Sequence, residues 1–178
     1  MNRMASASTV LIFEYFSGGG FPAGELPKGL AAEALGMLWA VLQDFRDWGA
    51  VRTITALDSR FDRMIPGLNP GTLPADEVFP ALPGEHESVY LSLLKRCDAV
   101  LIIAPETDGI LSRLSAQAEA QGKLLLGSTS AAAAQAGNKA ICSRLFELAN
   151  LPAPETRTAS FQAVPQAASL LGAPLVIK

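Results

Sequence analysis

Two nearly unbroken apolar runs constrain this chain more than any other feature. Residues 9–16 read Thr-Val-Leu-Ile-Phe-Glu-Tyr-Phe, and residues 98–104 read Asp-Ala-Val-Leu-Ile-Ile-Ala. A strand with one wet face alternates apolar and polar residues. A strand that does not alternate is covered on both faces, as in a parallel sheet wrapped by helices. The sequence between and after the runs supplies those helices. One is expected over 27–48, with Pro27 in its first turn and Gly49 as its stop. Leu30, Ala34, Met37, Leu38, Val41 and Phe45 form its expected buried stripe. A second strand is expected over 51–57, a loop rich in proline and glycine over 65–74, and a short third strand over Glu77–Ala81. A helix over 85–96 turns Val89, Leu93 and Leu94 inward, and another covers 110–121 with Gly122 after it. A fifth strand covers 123–126. Such alternation predicts an α/β fold with a doubly wound parallel sheet in the order 3-2-1-4-5. The switch point then lies between strands one and four, so 17–20 and 106–109 face one crevice.

Composition narrows the partners. Of the 178 residues, 49% are hydrophobic and 17% charged, so the chain can build a sizeable core and is not disordered. The net charge of −3 comes without a basic stripe, which argues against nucleic acid. No apolar run reaches the length of a membrane span, and Glu14 interrupts the run nearest the N-terminus, against a signal peptide. Cys97 and Cys142 lack metal or redox spacing and read as reduced packing residues of a cytoplasmic protein.

Several residues could carry chemistry in the crevice. Ser17, Gly18, Gly19 and Gly20 could cradle an anion with backbone N–H groups, or could form a plain turn. They do not complete a dinucleotide fingerprint, because Ala23 stands where the third glycine belongs. Glu14 interrupts an apolar strand and needs either the crevice or a cationic partner. Glu106, Thr107 and Asp108 follow a buried strand and open a helix. Thr107 or Asp108 suits the cap, and Glu106 suits a substrate amine. Asp58 and Arg60 read as a local ion pair or turn. His86 is the single histidine, with no nucleophile or carboxylate tied to it by pattern. No cluster of Asp, Glu, His or Cys has metal-ligand spacing.

The last forty residues carry the most specific signal. Asn138 is a good N-cap, Ile141, Leu145 and Leu148 recur at helical spacing, and Asn150, Pro152 and Pro154 stop the helix. Lys139 breaks the local rule, since a cation in the first helical turn opposes the dipole unless an anion binds there. Pro174-Leu175-Val176-Ile177-Lys178 reads as a short apolar strand ending in a second lysine. This combination of helix-start lysine, Pro-x-Pro-x-Thr turn and strand lysine resembles the ATP-grasp ligases. Asn138, Asn150 and the missing proline after Lys178 depart from the family pattern.

The resemblance implies a pre-ATP-grasp, Rossmann-like domain over 1–129 and the start of an ATP-grasp domain over 130–178. It implies that Lys139 and Lys178 hold ATP phosphates, and that Mg²⁺ ligands lie beyond Lys178. The substrate crevice would be formed by Glu14, Ser17–Gly20 and Glu106–Asp108. Phe-Glu-Tyr-x-x-Gly-Gly-Gly over 13–20 and Ala-Pro-Glu-Thr-Asp-Gly-Ile-Leu over 104–111 look like the tyramine–glutamate ligase group of methanofuran biosynthesis. The expected partners are small-molecule carboxylate and amine substrates, with no nucleic acid, no membrane and a homodimer left open. Ending on an apolar strand suggests the N-terminal part of a longer ligase. Two other classes compete: a stand-alone flavodoxin-like nucleotide-binding or sensor module, and an NAD-linked enzyme weakened by the incomplete glycine fingerprint.

Overall fold

The computed structural model describes residues 8–65, 68 and 70–177. The chain divides into two compact units, Met1–Ala133 and Ala134–Lys178. In the first unit, five strands form one parallel sheet: β1 (Thr9–Glu14), β2 (Arg52–Asp58), β3 (Glu77–Ala81), β4 (Ala99–Ile103) and β5 (Leu124–Leu125). Their order is β3-β2-β1-β4-β5, the expected one. The register pairs Leu11 with Ile54 on one side and with Val100 on the other. β1 is thus hydrogen-bonded on both edges, which is why its sequence carries so few polar residues.

The two faces of β1 feed separate cores. Val10 and Ile12 pack with Ala31, Leu35, Leu38 and Leu42 of α1 (Lys28–Trp48) and with Phe61 of α2 (Phe61–Met64). Leu11, Phe13 and Tyr15 pack with Tyr90, Leu93 and Leu94 of α3 (His86–Leu94) and with Leu114 and Ala118 of α4 (Ile110–Ala120). Helices therefore cover both faces. Each fully buried large side chain contributes about 1.5–3 kcal/mol, and Leu11, Ile12 and Phe13 are all fully buried. The Tyr90 hydroxyl donates to the Leu114 carbonyl at 3.0 Å and ties α3 to α4. Burial pushes that phenol well above its ordinary pKa, and it likewise raises the Cys97 thiol.

Two expectations about the helices need correction. The buried stripe of α1 is Ala31, Ala34, Leu35, Leu38 and Leu42, while Leu30 and Met37 lie exposed. The helix is apolar over much of its circumference, and the sheet selects the face whose alanines permit close approach. Val41 and Phe45 pack from the margin. Trp39 and Trp48 are exposed on the same helix, with Trp48 edge-on to Phe45 at 6.0 Å between centroids. Gly49 ends α1 at φ 65° and returns its N–H to the Phe45 carbonyl, as a left-handed cap should. On α3, Tyr90 is fully buried and Val89 only half so.

The second unit begins within α5 (Ser130–Gly137). It holds α6 (Lys139–Leu148), a single helical turn at Phe161–Ala163 and α7 (Val164–Leu171). Asn138 caps α6 as predicted, its side-chain oxygen accepting from the N–H groups of Ala140 and Ile141 at 3.1 Å each. The strand expected at the C-terminus does not form in 175–177, which is irregular and exposed. No neighbouring strand offers it a ladder among the described residues, and a lone extended segment has no hydrogen bonds to hold it. Lys178 lies outside the described residues. None of the chain's helices is long and apolar enough to cross a membrane, among the described residues.

Candidate functional site

The carboxyl ends of the strands meet at one edge of the sheet. β1 and β4 pair from Val10–Ala99 to Glu14–Ile103, and the Tyr15 N–H donates to the Ile103 carbonyl at 2.8 Å. The chain leaves β1 into a wide helical turn at Phe16–Gly20 and leaves β4 into a short turn at Thr107–Gly109. These segments exit adjacent strands and run on to α1 and α4, helices that pack on opposite faces. That is the switch-point arrangement anticipated for them.

Glu14 is only 2% exposed and has a different partner from the one expected. Among the described residues, neither a cation nor the open crevice receives its carboxylate. It turns back to accept the N–H of Ser17 at 2.6 Å and of Phe16 at 3.2 Å. An acidic side chain placed just before a turn can satisfy that turn's unpaired donors, and this solution is local. Burial raises the Glu14 pKa above the ordinary carboxylate value, and the hydrogen bonds from Ser17 and Phe16 offset part of the shift.

Ser17, Gly18 and Gly19 are buried, and Gly20 is half-buried. Packing accounts for the absence of side chains. A Cβ on Gly18 would meet the Phe13 ring at 2.8 Å, and one on Gly20 would meet the Tyr15 carbonyl oxygen at 2.5 Å. Gly19 has φ +98°, and a Cβ there would lie 2.9 Å from the Leu82 carbonyl oxygen. The turn is stitched to the start of α3, since the Gly84 N–H donates to the Gly19 and Phe21 carbonyls at 2.8 and 3.0 Å.

Beyond the turn, Arg60 closes the opposite flank. Asp58 is fully buried at the end of β2, and Arg60 binds it through Nε and Nη2 at 3.0 and 2.7 Å. The same guanidinium donates to the carbonyls of Phe21, Pro22 and Gly24. The local ion pair read from the sequence is present, and it also clamps the loop leaving the glycine turn. Pattern alone could not supply those three carbonyls, which lie 36 to 39 residues away.

Glu106, Thr107, Asp108 and Gly109 are exposed at the rim. The cap expected from Thr107 or Asp108 does not form, because Gly109 occupies the cap position and no side chain bonds to the helix start. Asp108 and Gly109 both take positive φ, 55° and 65°, a backbone conformation uncommon for a residue with a side chain. His86, set aside in the sequence, opens α3 beside Tyr15, the ring centroids 4.7 Å apart and the rings nearly edge-to-face. Burial lowers the pKa of its imidazole, which favours the neutral ring.

The second unit has its own cleft of about 910 Å³, lined by Lys139, Thr156, Arg157, Thr158, Leu171 and Val176 among others. Lys139 stands at its wall, with Nζ donating to the Ala136 carbonyl at 3.0 Å. Arg157, which the sequence reading missed, pairs with Glu155 at 2.9 and 3.0 Å. Its signal was position: it directly follows the Pro-Ala-Pro-Glu-Thr turn. The cations and hydroxyls of this wall suit a polyphosphate. Among the described residues, no group of three or more His, Cys, Asp or Glu side chains could hold a metal ion.

Comparison with known proteins bears on both units. Residues 51–133 match the family described as the pre ATP-grasp 3 domain. A crystal structure described as an ATP-grasp superfamily protein from Archaeoglobus fulgidus superposes with a TM-score of 0.60 at 21% identity. The match covers 84% of this chain and 42% of that one, so the chain spans less than half the length of the protein it resembles. None of the curated proteins matches. The likeness to the solved structure establishes the fold, and the family match lies within the first unit.

Proposed function

We propose that this chain contributes the substrate crevice and part of the nucleotide site of an ATP-dependent carboxylate–amine ligase. One observation carries the reading. The pre ATP-grasp match over residues 51–133, which takes in β2 to β5, precedes an Asn138-capped helix whose first residue, Lys139, lines a cleft with Arg157. A lysine at a helix start is a poor choice for stability and a good one for binding phosphate.

In the proposed reaction, a carboxylate oxygen attacks the γ-phosphorus of ATP, giving an acyl phosphate and ADP. An amine then attacks the acyl carbon, phosphate leaves and one proton is released, giving the amide. The chain's part is charge stabilisation and alignment: Lys139 as a compact cation against the α- and β-phosphates, with Lys178 as the second. Mg²⁺ would supply further charge neutralisation on the phosphates. Glutamate and tyramine are the finer proposal, supported by the motifs at 13–20 and 104–111. Glu14, Ser17–Gly20 and Glu106–Asp108 are proposed to frame the substrate crevice. Given the geometry, Glu14 and the glycines act there by shaping the backbone, and Glu106 and Asp108 act from the rim.

The competing sensor-module reading expects the last fifty residues to complete the first domain. Residues 134–178 instead cluster as a compact unit of their own. Equilibrium binding of MgATP to the protein and to Lys139→Ala tests the nucleotide site. Loss of one phosphate contact should weaken binding about tenfold or more, the equivalent of about 1.4 kcal/mol. Unchanged affinity would remove Lys139 from the site.

A further inference from the structure

The cleft of the second unit has a wall of mixed charge. Among its described lining residues, Lys139 and Arg157 are the cations and Glu155 is the one acid. A carboxylate repels a polyphosphate at close range, so an acid in this wall works against the binding that the cations favour. The manner in which Glu155 meets Arg157 accounts for it.

Arg157 donates to Glu155 from Nε and Nη2 at 3.0 and 2.9 Å, and both bonds end on the same oxygen, Oε1. A guanidinium bonds an oxyanion best when two parallel N–H groups each meet an oxygen of their own. Here two donors share one acceptor, which leaves the fork half used. The two side chains are also 43% and 63% exposed, and an ion pair as open as this is screened by water and salt. Both features make the pair easy to exchange. A phosphate group presents paired oxygens and carries more charge than a carboxylate, so it is the stronger partner for the same fork.

We propose that Arg157 is a phosphate-binding residue of this cleft and that Glu155 is its internal competitor, holding the guanidinium until an anion of higher charge displaces it. The displacement exchanges hydrogen bonds only: two N–H groups leave Glu155 Oε1 and pass to phosphate oxygens. Glu155 thereby sets the affinity through Arg157 and is a positioning residue, while Arg157 touches the ligand. An anion of low charge gains little from the exchange, and a triphosphate gains most. The inference deepens the nucleotide-site reading by naming a control on that site, and it rests on that reading for the identity of the phosphate ester.

Isothermal titration calorimetry of the whole chain tests it, with inorganic tripolyphosphate as a probe of the charged wall and MgATP as a probe of the nucleotide site. Arg157→Ala should weaken tripolyphosphate binding about tenfold, and Arg157→Lys, which keeps the charge without the fork, should restore only part of it. Glu155→Gln should tighten binding about threefold in the parent and leave Arg157→Ala unchanged, because the competitor acts through the guanidinium. Glu147→Gln makes the same change of charge outside the cleft lining and should leave binding as it is. Unchanged binding by Arg157→Ala would overturn the proposal. So would equal tightening by Glu147→Gln, or tightening by Glu155→Gln that persists without Arg157. Failure here, with MgATP affinity still dependent on Lys139, would leave the nucleotide reading standing. The expected tripolyphosphate pattern without MgATP binding would leave the Arg157 proposal standing alone.

Discussion

Glu14 shows how a single side chain can look functional and be answered locally. Its carboxylate is buried and accepts two backbone N–H groups of the turn that follows. Because burial outweighs those bonds, the folded state holds the proton more tightly than the unfolded chain does. The sign follows from linkage. This group's contribution to stability is fully present below the ordinary carboxylate pKa and is lost as pH rises through the raised folded value. Urea denaturation at a series of pH values, parent minus Glu14→Gln, should therefore show the parent losing relative stability across that window. A difference that stays flat with pH would show that Glu14 is not held in this way.

Elements were legible where hydrogen bonding and burial act together, and illegible where either acts alone. The central strand and its order could be read because β1 and β4 need cover on both faces, which leaves a continuous apolar run in the sequence. The helix of residues 28–48 was legible as a helix, but its inward face was not. Leu30 and Met37 compete with Leu35 and Leu42 for the core, and only contact with the sheet decides between them. Residues 175–177 have strand composition and, among the described residues, no strand partner. Within the candidate site, Ser17–Gly20 could be located from the sequence, but the steric demands of Phe13, Tyr15 and Leu82 on it could not. The Arg60 clamp was equally hidden, because its acceptors are backbone carbonyls with no signature in residue type. Removing it should be costly. Arg60→Ala leaves Asp58 buried and uncompensated, with an expected loss of about 3 kcal/mol or more. Chemical denaturation measures this loss, and proteolysis should speed up within residues 21–25. A variant as stable and as resistant as the parent would deny the clamp its role.

At the scale of the molecule, the two units differ in what they bury. Every buried residue lies at or before Ala133, among the described residues, and both core clusters are assembled from that part alone. Residues 1–133 should therefore fold without the remainder. Their truncated form should unfold cooperatively, with a Tm within a few degrees of the first unit's transition in the parent, as followed by circular dichroism. Residues 134–178 alone keep Phe146, Leu148, Phe161, Val176 and Ile177 in contact with solvent, too thin a core for independent folding. A non-cooperative melt of the 1–133 form would contradict the division.

Both tryptophans of the chain, Trp39 and Trp48, sit on the first long helix. Intrinsic emission therefore watches one unit and is blind to the other. A sample whose second unit had already melted would still glow like intact protein, and only a dye or label placed after Ala134 would reveal the difference.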